Sequence, residues 1–150
     1  MAAIREWFAL YGILFETMGK FAEGEDNRHY EDFLGQRLHV YLGAVKGQEA
    51  LSALEKHFAI TIPKDGGECH IETGRDALRV DITACPDHIY FAQTPYAQHR
   101  FGLDYCSHCS RVHQALAECM GLELTQTAPC AGTDGICGCS LCFGLGGREK

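Results

Sequence analysis

Apolar residues recur every three or four positions through the first part of the chain, the spacing typical of amphipathic helices. The pattern predicts one helix across residues 4–21. It predicts a second helix that Asp26 or Asn27 caps and whose apolar positions continue to Val45. Gly47 then permits a turn. The aromatic stripe of the first helix is expected to pack into the core or to form the seam of a homodimer.

A third, shorter helix is predicted from Leu51, Leu54 and Phe58. Residues 60–63 are expected to leave this helix in an extended conformation, because the residue before a proline avoids helical backbone angles. The N-terminal half, residues 3–60, is therefore expected to be helical and to serve mainly as scaffold.

The apolar period changes to two after Gly66 and Gly67. Residues 69–73 and 77–85 are predicted to form a β-hairpin with one buried face. The second strand alternates between apolar and polar positions: Leu78, Val80, Ile82 and Ala84 against Arg79, Asp81, Thr83 and Cys85. Pro86 ends this strand, and Asp87 can cap a short helical turn that Pro95 interrupts.

A fourth helix is predicted from Tyr105, with Gly121 as its C-terminal stop. Residues 122–127 and 136–143 then form a second predicted hairpin, and residues 144–150 a frayed tail. The order of elements predicts one α+β domain over residues 1–150. Its N-terminal helices and one further helix would pack on an antiparallel sheet of about four strands. The cysteine-rich α+β half of that domain would span residues 66–143.

Composition and charge narrow the classes of partner. The chain has 150 residues, of which 46% are hydrophobic and 22% charged, as in ordinary globular proteins. Its formal net charge is −7 and its basic residues are scattered, so binding to nucleic acid or to an anionic membrane surface is not expected. No apolar run approaches the roughly 20 residues that span a bilayer, and no export signal is recognisable. We therefore expect a cytoplasmic protein.

Nine cysteines, an odd number, stand out in a sequence without an export signal. In a reducing compartment such thiols serve metal ligation, catalysis or redox sensing more often than a disulfide framework. Free cysteine is also a common small apolar core residue, which is the expected role of Cys69 and Cys119.

The first candidate group is Cys106, Cys109 and His113, at i, i+3 and i+7 on one stripe of the fourth helix. Two thiolates and an imidazole suit zinc or another transition metal such as iron.

The C-terminal Cys137, Cys139 and Cys142 are the expected source of further ligands. In a regular strand, however, Cys142 points away from the other two, so all three would share one metal only if a bulge intervened.

The second candidate group is Cys85 with His88, at the end of the hairpin strand. Unpaired N–H groups at the start of the following helical turn favour a nucleophilic thiolate at Cys85, and His88 is close enough in sequence to act as a base. Cys130, in the turn before the last strand, is a third candidate of the same kind.

These residues also carry a family resemblance over about residues 75–143. A strand ends in Ala84-Cys85-Pro86, a helix opens with Tyr105-Cys106 and closes at Gly121, and Cys130, Gly135 and a final cysteine-bearing strand before Phe143 follow. The order resembles the L-2-amino-thiazoline-4-carboxylic acid hydrolase family and, more distantly, the vinyl-reductase-type domains related to the TRAPP vesicle-tethering subunits.

The resemblance implies an α+β fold with a pocket for a small organic ligand between helices and sheet. It assigns the family cysteines to Cys85, Cys106, Cys130 and one of Cys137 or Cys139. Several other residues are additional to the family pattern: Cys109, Cys142, the second member of the Cys137/Cys139 pair, His108 and His113.

Two functions remain open, besides a structural or partner-binding role that uses the first helix as a dimer seam. One is a cysteine-dependent hydrolase of a small cyclic amidine or thiazoline, with Cys106 and then Cys85 as nucleophile and His113 or His108 as base. The other is a non-catalytic domain that binds a small molecule and a metal (zinc, iron or haem) or senses redox state.

Overall fold

The computed structural model describes residues 26–93, 105–127, 130–131 and 137–146. The predicted helix at residues 4–21, with the proposed dimer seam, lies outside these residues. The described helices are α1 (Asp26–Tyr41), α2 (Gly47–Lys64), α3 (Pro86–Gln93) and α4 (Tyr105–Met120). The described strands are β1 (Glu68–Thr73), β2 (Ala77–Ala84), β3 (Leu122–Gln126), β4 (Cys130–Ala131) and β5 (Cys137–Leu145).

The strands form an antiparallel sheet in the order β1-β2-β5-β3, and the two-residue β4 pairs with the start of β5. Both predicted hairpins are present, and β2 and β5 join them at the centre of the sheet. The predicted α+β class is thereby confirmed, whereas the specific likeness to vinyl-reductase-type domains stays a prediction. In the part of the chain that the structure describes, no helix is long and apolar enough to cross a membrane.

One face of the sheet packs against α2 and α4 to form the core. The alternation predicted for β2 is confirmed, because its four apolar residues are buried and the polar ones between them are exposed or half-buried. The largest fully buried side chains come from both layers: Leu51, Leu54, Leu78, Val80, Leu116, Met120, Leu141 and Phe143.

Helix α1 packs against α4 at very short range. A Cβ atom added to Gly35 would lie 2.6 Å from the Cβ of Ala115, so only glycine permits this approach. Beside it, Nη1 of Arg111 lies 3.3 Å from Oε2 of Glu31, whose side chain is almost fully buried. These contacts hold α1 on the outer side of α4.

The other face of the sheet is polar. Asp81 accepts hydrogen bonds from Nε of Arg79, at 3.0 Å to each carboxylate oxygen, and from the hydroxyl of Ser140. The Ser140 hydroxyl first, and Arg79 second, hold the pKa of Asp81 below its usual value. This network matches the predicted outward orientation of the polar residues of β2.

Two predicted helix ends are wrong. Helix α1 ends at Tyr41 rather than continuing to Val45, because Gly43 and Ala44 turn the chain with φ angles of 92° and 53°. Helix α2 does not become extended at residues 60–63 but continues through Pro63 to Lys64. The continued helix places Ile62 in the core one turn after Phe58, and this burial outweighs the local preference of the residue before proline.

The predicted end of the last helix is confirmed, and the predicted end of the last strand is wrong. Gly121 stops α4 with a φ of 66°, as predicted. The prediction that a frayed tail starts at residue 144 is wrong, because β5 continues to Leu145. Gly144 pairs with Ala77, and the N–H of Leu145 donates to the carbonyl of Asp76 at 2.9 Å.

Candidate functional site

A cavity of about 280 Å³ lies between the helices and the sheet. Its walls come from the C-terminal half of α2, the start of α3, the N-terminal half of α4, and one end of β2, β3 and β5. Apolar side chains form much of the lining, including Phe58, Ile62, Ile82 and Leu141. The volume and the apolar walls are those of a site for a small organic molecule.

Among the described residues, three cysteines line this cavity: Cys85, Cys109 and Cys139. Cys85 directly follows β2, and its carbonyl accepts from the N–H of Ile89 in the first turn of α3. Cys139 lies opposite Ile82 on the helix-facing side of β5, and half-buried Cys109 lies in the second turn of α4. The structure thus places cysteine residues of α4 and of the last hairpin in the wall of one cavity.

His113 from α4 and His57 from α2 line the same cavity. Their rings pack against that of Phe58, with centroid distances of 5.8 Å for His113 and 5.4 Å for His57. Burial, with a contribution from His57, lowers the pKa of His113 to about 4. Burial also lowers the pKa of His57, against the opposing effect of Asp65. Both rings are therefore neutral near pH 7 and offer nitrogen lone pairs.

His57 was not among the candidate site residues identified from the sequence. Its spacing does carry a signal: His57 and Thr61 follow Leu54 at i+3 and i+7, along the edge of the buried stripe of α2. Polar residues on the edge of an apolar stripe are the ones that reach a cavity at the rim of a core.

Ser110 and Gln126 connect α4 to β3 in the cavity wall. The Ser110 hydroxyl donates to Oε1 of Gln126 at 2.7 Å, and Nε2 of Gln126 donates to the Ser110 carbonyl at 3.0 Å. The two bonds fix the Gln126 amide and hold helix and strand together where the core residues end. The sequence pattern did not identify this pair, because only the packing of α4 on β3 brings it together.

The side chains of Cys106, His108, Cys130 and Cys137 are outside the described part of the structure. His88 is in the first turn of α3 but does not line the cavity.

Cys142 pairs with Arg79, so it lies on the polar face of the sheet, opposite to Cys139. The described part of β5 carries no bulge, so Cys139 and Cys142 lie on opposite faces of the sheet. The prediction of a single metal site that includes both residues is therefore wrong.

Among the described residues, no group of three or more histidine, cysteine, aspartate or glutamate side chains lies close enough to hold a metal ion. The described residues of the candidate set, Cys109, His113 and Cys139, therefore do not form a zinc or iron site by themselves. The metal interpretation stays a prediction that depends on the side chains of Cys106 and Cys137.

The packing role expected of Cys69 and Cys119 is seen for Cys69. Cys69 and Cys119 are half-buried free thiols, and Cys69 packs against the core. Burial raises the pKa of the Cys69 thiol, which keeps it protonated and unreactive near neutral pH. Neither lines the cavity.

A comparison of the chain with protein-family models and with curated protein sequences finds no match. The geometry of the cavity is therefore the basis on which a function is proposed.

Proposed function

We propose that this protein is a cysteine-dependent hydrolase-like domain that opens a small cyclic amidine or thiazoline in the cavity. The observation that carries the proposal is the convergence of Cys85, Cys109 and Cys139 with two neutral imidazoles on one cavity of about 280 Å³. A thiol beside a neutral imidazole is the arrangement that generates a thiolate nucleophile. The apolar walls suit the hydrocarbon part of a small ring.

The reaction needs one nucleophile, one proton carrier and one water. A cavity cysteine gives its thiol proton to an imidazole, and its sulfur bonds to the C=N carbon of the ring. The bond between that carbon and the ring sulfur then breaks, and the ring sulfur leaves as a thiol with the proton from the imidazolium. Water adds across the re-formed C=N bond, giving one proton to the nitrogen. The carbon–sulfur bond to the enzyme then breaks, the second proton of the water passes through the imidazole to the enzyme sulfur, and the product is a ring-opened urea with a free thiol.

Cys85 is the candidate nucleophile that combines the predicted role with a described position in the cavity. It precedes the N-terminus of α3, where backbone N–H groups favour a thiolate. Cys109 is the second candidate because it lies one turn before His113 on α4. Cys106, one turn earlier still, remains the candidate that the family resemblance favours.

Turnover of 2-aminothiazoline and of its 4-carboxylate, followed by NMR and by thiol release, tests the proposal. Single serine variants of Cys85, Cys106, Cys109 and Cys139 are compared with Cys142→Ser, which changes a cysteine on the other face of the sheet. We expect one of the four variants to lose at least about 100-fold in turnover and Cys142→Ser to stay near wild type. Turnover that survives in all four variants, or no turnover of either compound, would contradict the proposal.

The alternative is a domain that binds a small molecule without converting it. This alternative is favoured by the apolar residues of the cavity wall, which include Phe58, Ile62, Ile82 and Leu141. Its metal-holding form predicts that protein purified without chelators contains zinc or iron and loses it in the Cys109→Ser and His113→Gln variants. Elemental analysis and a visible absorption spectrum measure this. Metal-free protein with a stoichiometrically bound organic ligand would support the metal-free form.

A further inference from the structure

Cys85 does not lie where the alternation of β2 would place it. By that alternation it would face the polar side of the sheet with Arg79 and Asp81, yet it packs against the core and lines the cavity. We propose that Gly67, at the corner between α2 and β1, is the residue that positions Cys85 in the cavity. The assignment rests on the proposed function, in which Cys85 is a candidate nucleophile, and adds a positioning residue to it.

Gly67 lies directly against the two residues that flank Cys85 in the chain. A Cβ atom added to Gly67 would lie 2.6 Å from the carbonyl oxygen of Ala84 and 2.7 Å from Cδ of Pro86. It would also lie 3.0 Å from Cγ2 of Ile62, which is a wall residue of the cavity. The two shortest distances are well inside van der Waals contact, so glycine is needed for the corner to approach the chain on both sides of Cys85.

The end of α2 holds Gly67 in place. Its N–H donates to the carbonyl of Ile62 at 2.9 Å, and the Ile62 side chain is buried in the core. Gly66, one residue earlier, turns the chain with a φ of 89°. The two glycines therefore have different roles, because Gly66 permits the turn and the buried Gly67 permits the close approach. Since a close-packed interior transmits displacement, the position of Gly67 sets the position of Cys85.

The pairing of β1 with β2 changes just before this corner. Cys69 pairs with Ile82, whereas the preceding Glu68 pairs with Ala84, so Thr83 is an extra residue of β2. The Thr83 hydroxyl donates to the Glu68 carbonyl at 3.3 Å and keeps the bulge beside β1. A bulge bends its strand and redirects the side chains next to it. The strand therefore leaves its regular path where the cavity begins.

A second glycine approaches the same strand end from β5. A Cβ atom added to Gly138 would lie 2.6 Å from the carbonyl oxygen of Ile82, and Gly138 lines the cavity. Because β2 lies between β1 and β5 in the sheet, its last residues are held between Gly67 on one side and Gly138 on the other. The chain that carries Cys85 therefore has little room to move in either direction.

Alkylation with two reagents of similar size tests the assignment without requiring turnover. Iodoacetamide is neutral and iodoacetate is an anion, and mass spectrometry measures the rate of each reagent at each cysteine. The ratio of the two rates, divided by the same ratio for N-acetylcysteine, reports whether a thiol faces the cavity. The test variant is Gly67→Ala. The matched control is Gly144→Ala, because a Cβ atom at Gly144 would meet no atom within 4 Å.

In wild type, we expect a normalised ratio of about ten at Cys85, because much of the described wall is apolar and its charged residues, Asp65 and Asp87, are acidic. In Gly67→Ala the added methyl group displaces the chain on both sides of Cys85, and the ratio there should fall to about two or less. Cys109 and Cys139 should keep their wild-type ratios, whereas a general loss of structure would change all three. Gly144→Ala should leave every ratio within about twofold.

Three results would overturn the assignment: a wild-type ratio at Cys85 equal to that of N-acetylcysteine, an unchanged ratio in folded Gly67→Ala protein, or equal changes at all three cavity cysteines. If Gly67→Ala does not fold, Gly138→Ala is the second variant, and it should lower the ratio at Cys85 while Cys109 keeps its own. Failure of both variants to fold would mean that the glycines serve the whole fold, which also overturns the assignment.

Thiazoline turnover is measured separately. Gly67→Ala should lower it about 10- to 100-fold, the usual effect of a misplaced reacting group, and Gly144→Ala should leave it near wild type. Wild-type protein without turnover would contradict the proposed function, while the alkylation ratios would still decide the role of Gly67. The two failures therefore appear in different data.

Discussion

The interface between helices and sheet is solid at one end and hollow at the other, although the same elements build both ends. At the solid end, Leu116 and Met120 of α4 belong to the same core cluster as Leu78 and Phe143, and all four are fully buried. At the hollow end, α4 presents Cys109 and His113 instead, and β5 presents Cys139.

Phe58 lies at the boundary between the two ends, because its ring centroid is 6.0 Å from that of Phe143 and it also lines the cavity. The contrast shows that one interface can contain both a stabilising core and a cavity when side-chain size and polarity change along its helices and strands.

The largest expected effect comes from removing a large buried side chain at the solid end. Phe143→Ala should lower the free energy of unfolding by about 3–5 kcal/mol, because it removes a fully buried ring and leaves a cavity. Chemical denaturation measures the change. Phe33→Ala is the control, since the Phe33 side chain is 48% exposed and should cost no more than about 0.5 kcal/mol. Equal effects of the two variants would show that Phe143 does not anchor the core.

Acid should lower the free energy of unfolding through His113 at the hollow end. The pKa of His113 is about 4 in the folded protein and near 6.5 in the unfolded chain, so the unfolded chain binds the proton more readily. This contribution to stability is complete above pH 6.5 and is lost as the pH falls towards 4, up to about 3 kcal/mol. Denaturation curves at a series of pH values measure it. His113→Gln should flatten this part of the profile, and an unchanged profile in that variant would contradict the prediction.

Added volume should distinguish the two ends. Ala117→Leu inserts three carbon atoms where the side chain is fully buried, and should cost about 1–3 kcal/mol through overpacking. Cys139→Leu adds bulk beside the cavity and should cost less than about 1 kcal/mol, because open space receives it. Thermal and chemical denaturation of the pair measure the difference. A larger cost for Cys139→Leu would mean that the hollow end is filled in solution.

The smallest expected effect concerns the connection between α4 and β3. Ser110→Ala removes the donor to Oε1 of Gln126 and should cost about 1 kcal/mol, the usual net value of such a hydrogen bond. Ser140→Ala, on the polar face, provides a comparison for a hydrogen bond outside the cavity wall. The distinctive result would be slower, weaker binding of any cavity ligand in Ser110→Ala alone, measured by calorimetry.

Much of the solid end could be predicted from the sequence. The alternation of β2 and the stop at Gly121 follow from local periodicity and from one positive φ angle, and both are confirmed. The end of α2 could not be predicted in the same way, because the local rule at Pro63 conflicts with the burial of Ile62.

The hollow end was only partly predictable. Strand alternation correctly separates Cys139 from Cys142, since it depends on neighbouring residues alone. The approach of His57 and Gln126 to the same cavity depends on how α2 and α4 are seated on the sheet. That placement is set by contacts between residues far apart in the chain, which spacing within one element does not encode.

The absence of a side chain at Gly35 has a consequence for engineering the protein. Replacing a glycine inside a helix by alanine normally raises stability by roughly 1 kcal/mol. Here the new methyl group would meet Ala115 and the backbone of Leu116 at 3 Å or less. The methyl group would push α1 away from α4, or it would push α4 towards the sheet. In the second case Cys109 and His113 would shift with α4. If α4 is the helix that moves, a substitution in α1 changes the width of a cavity that α1 does not line.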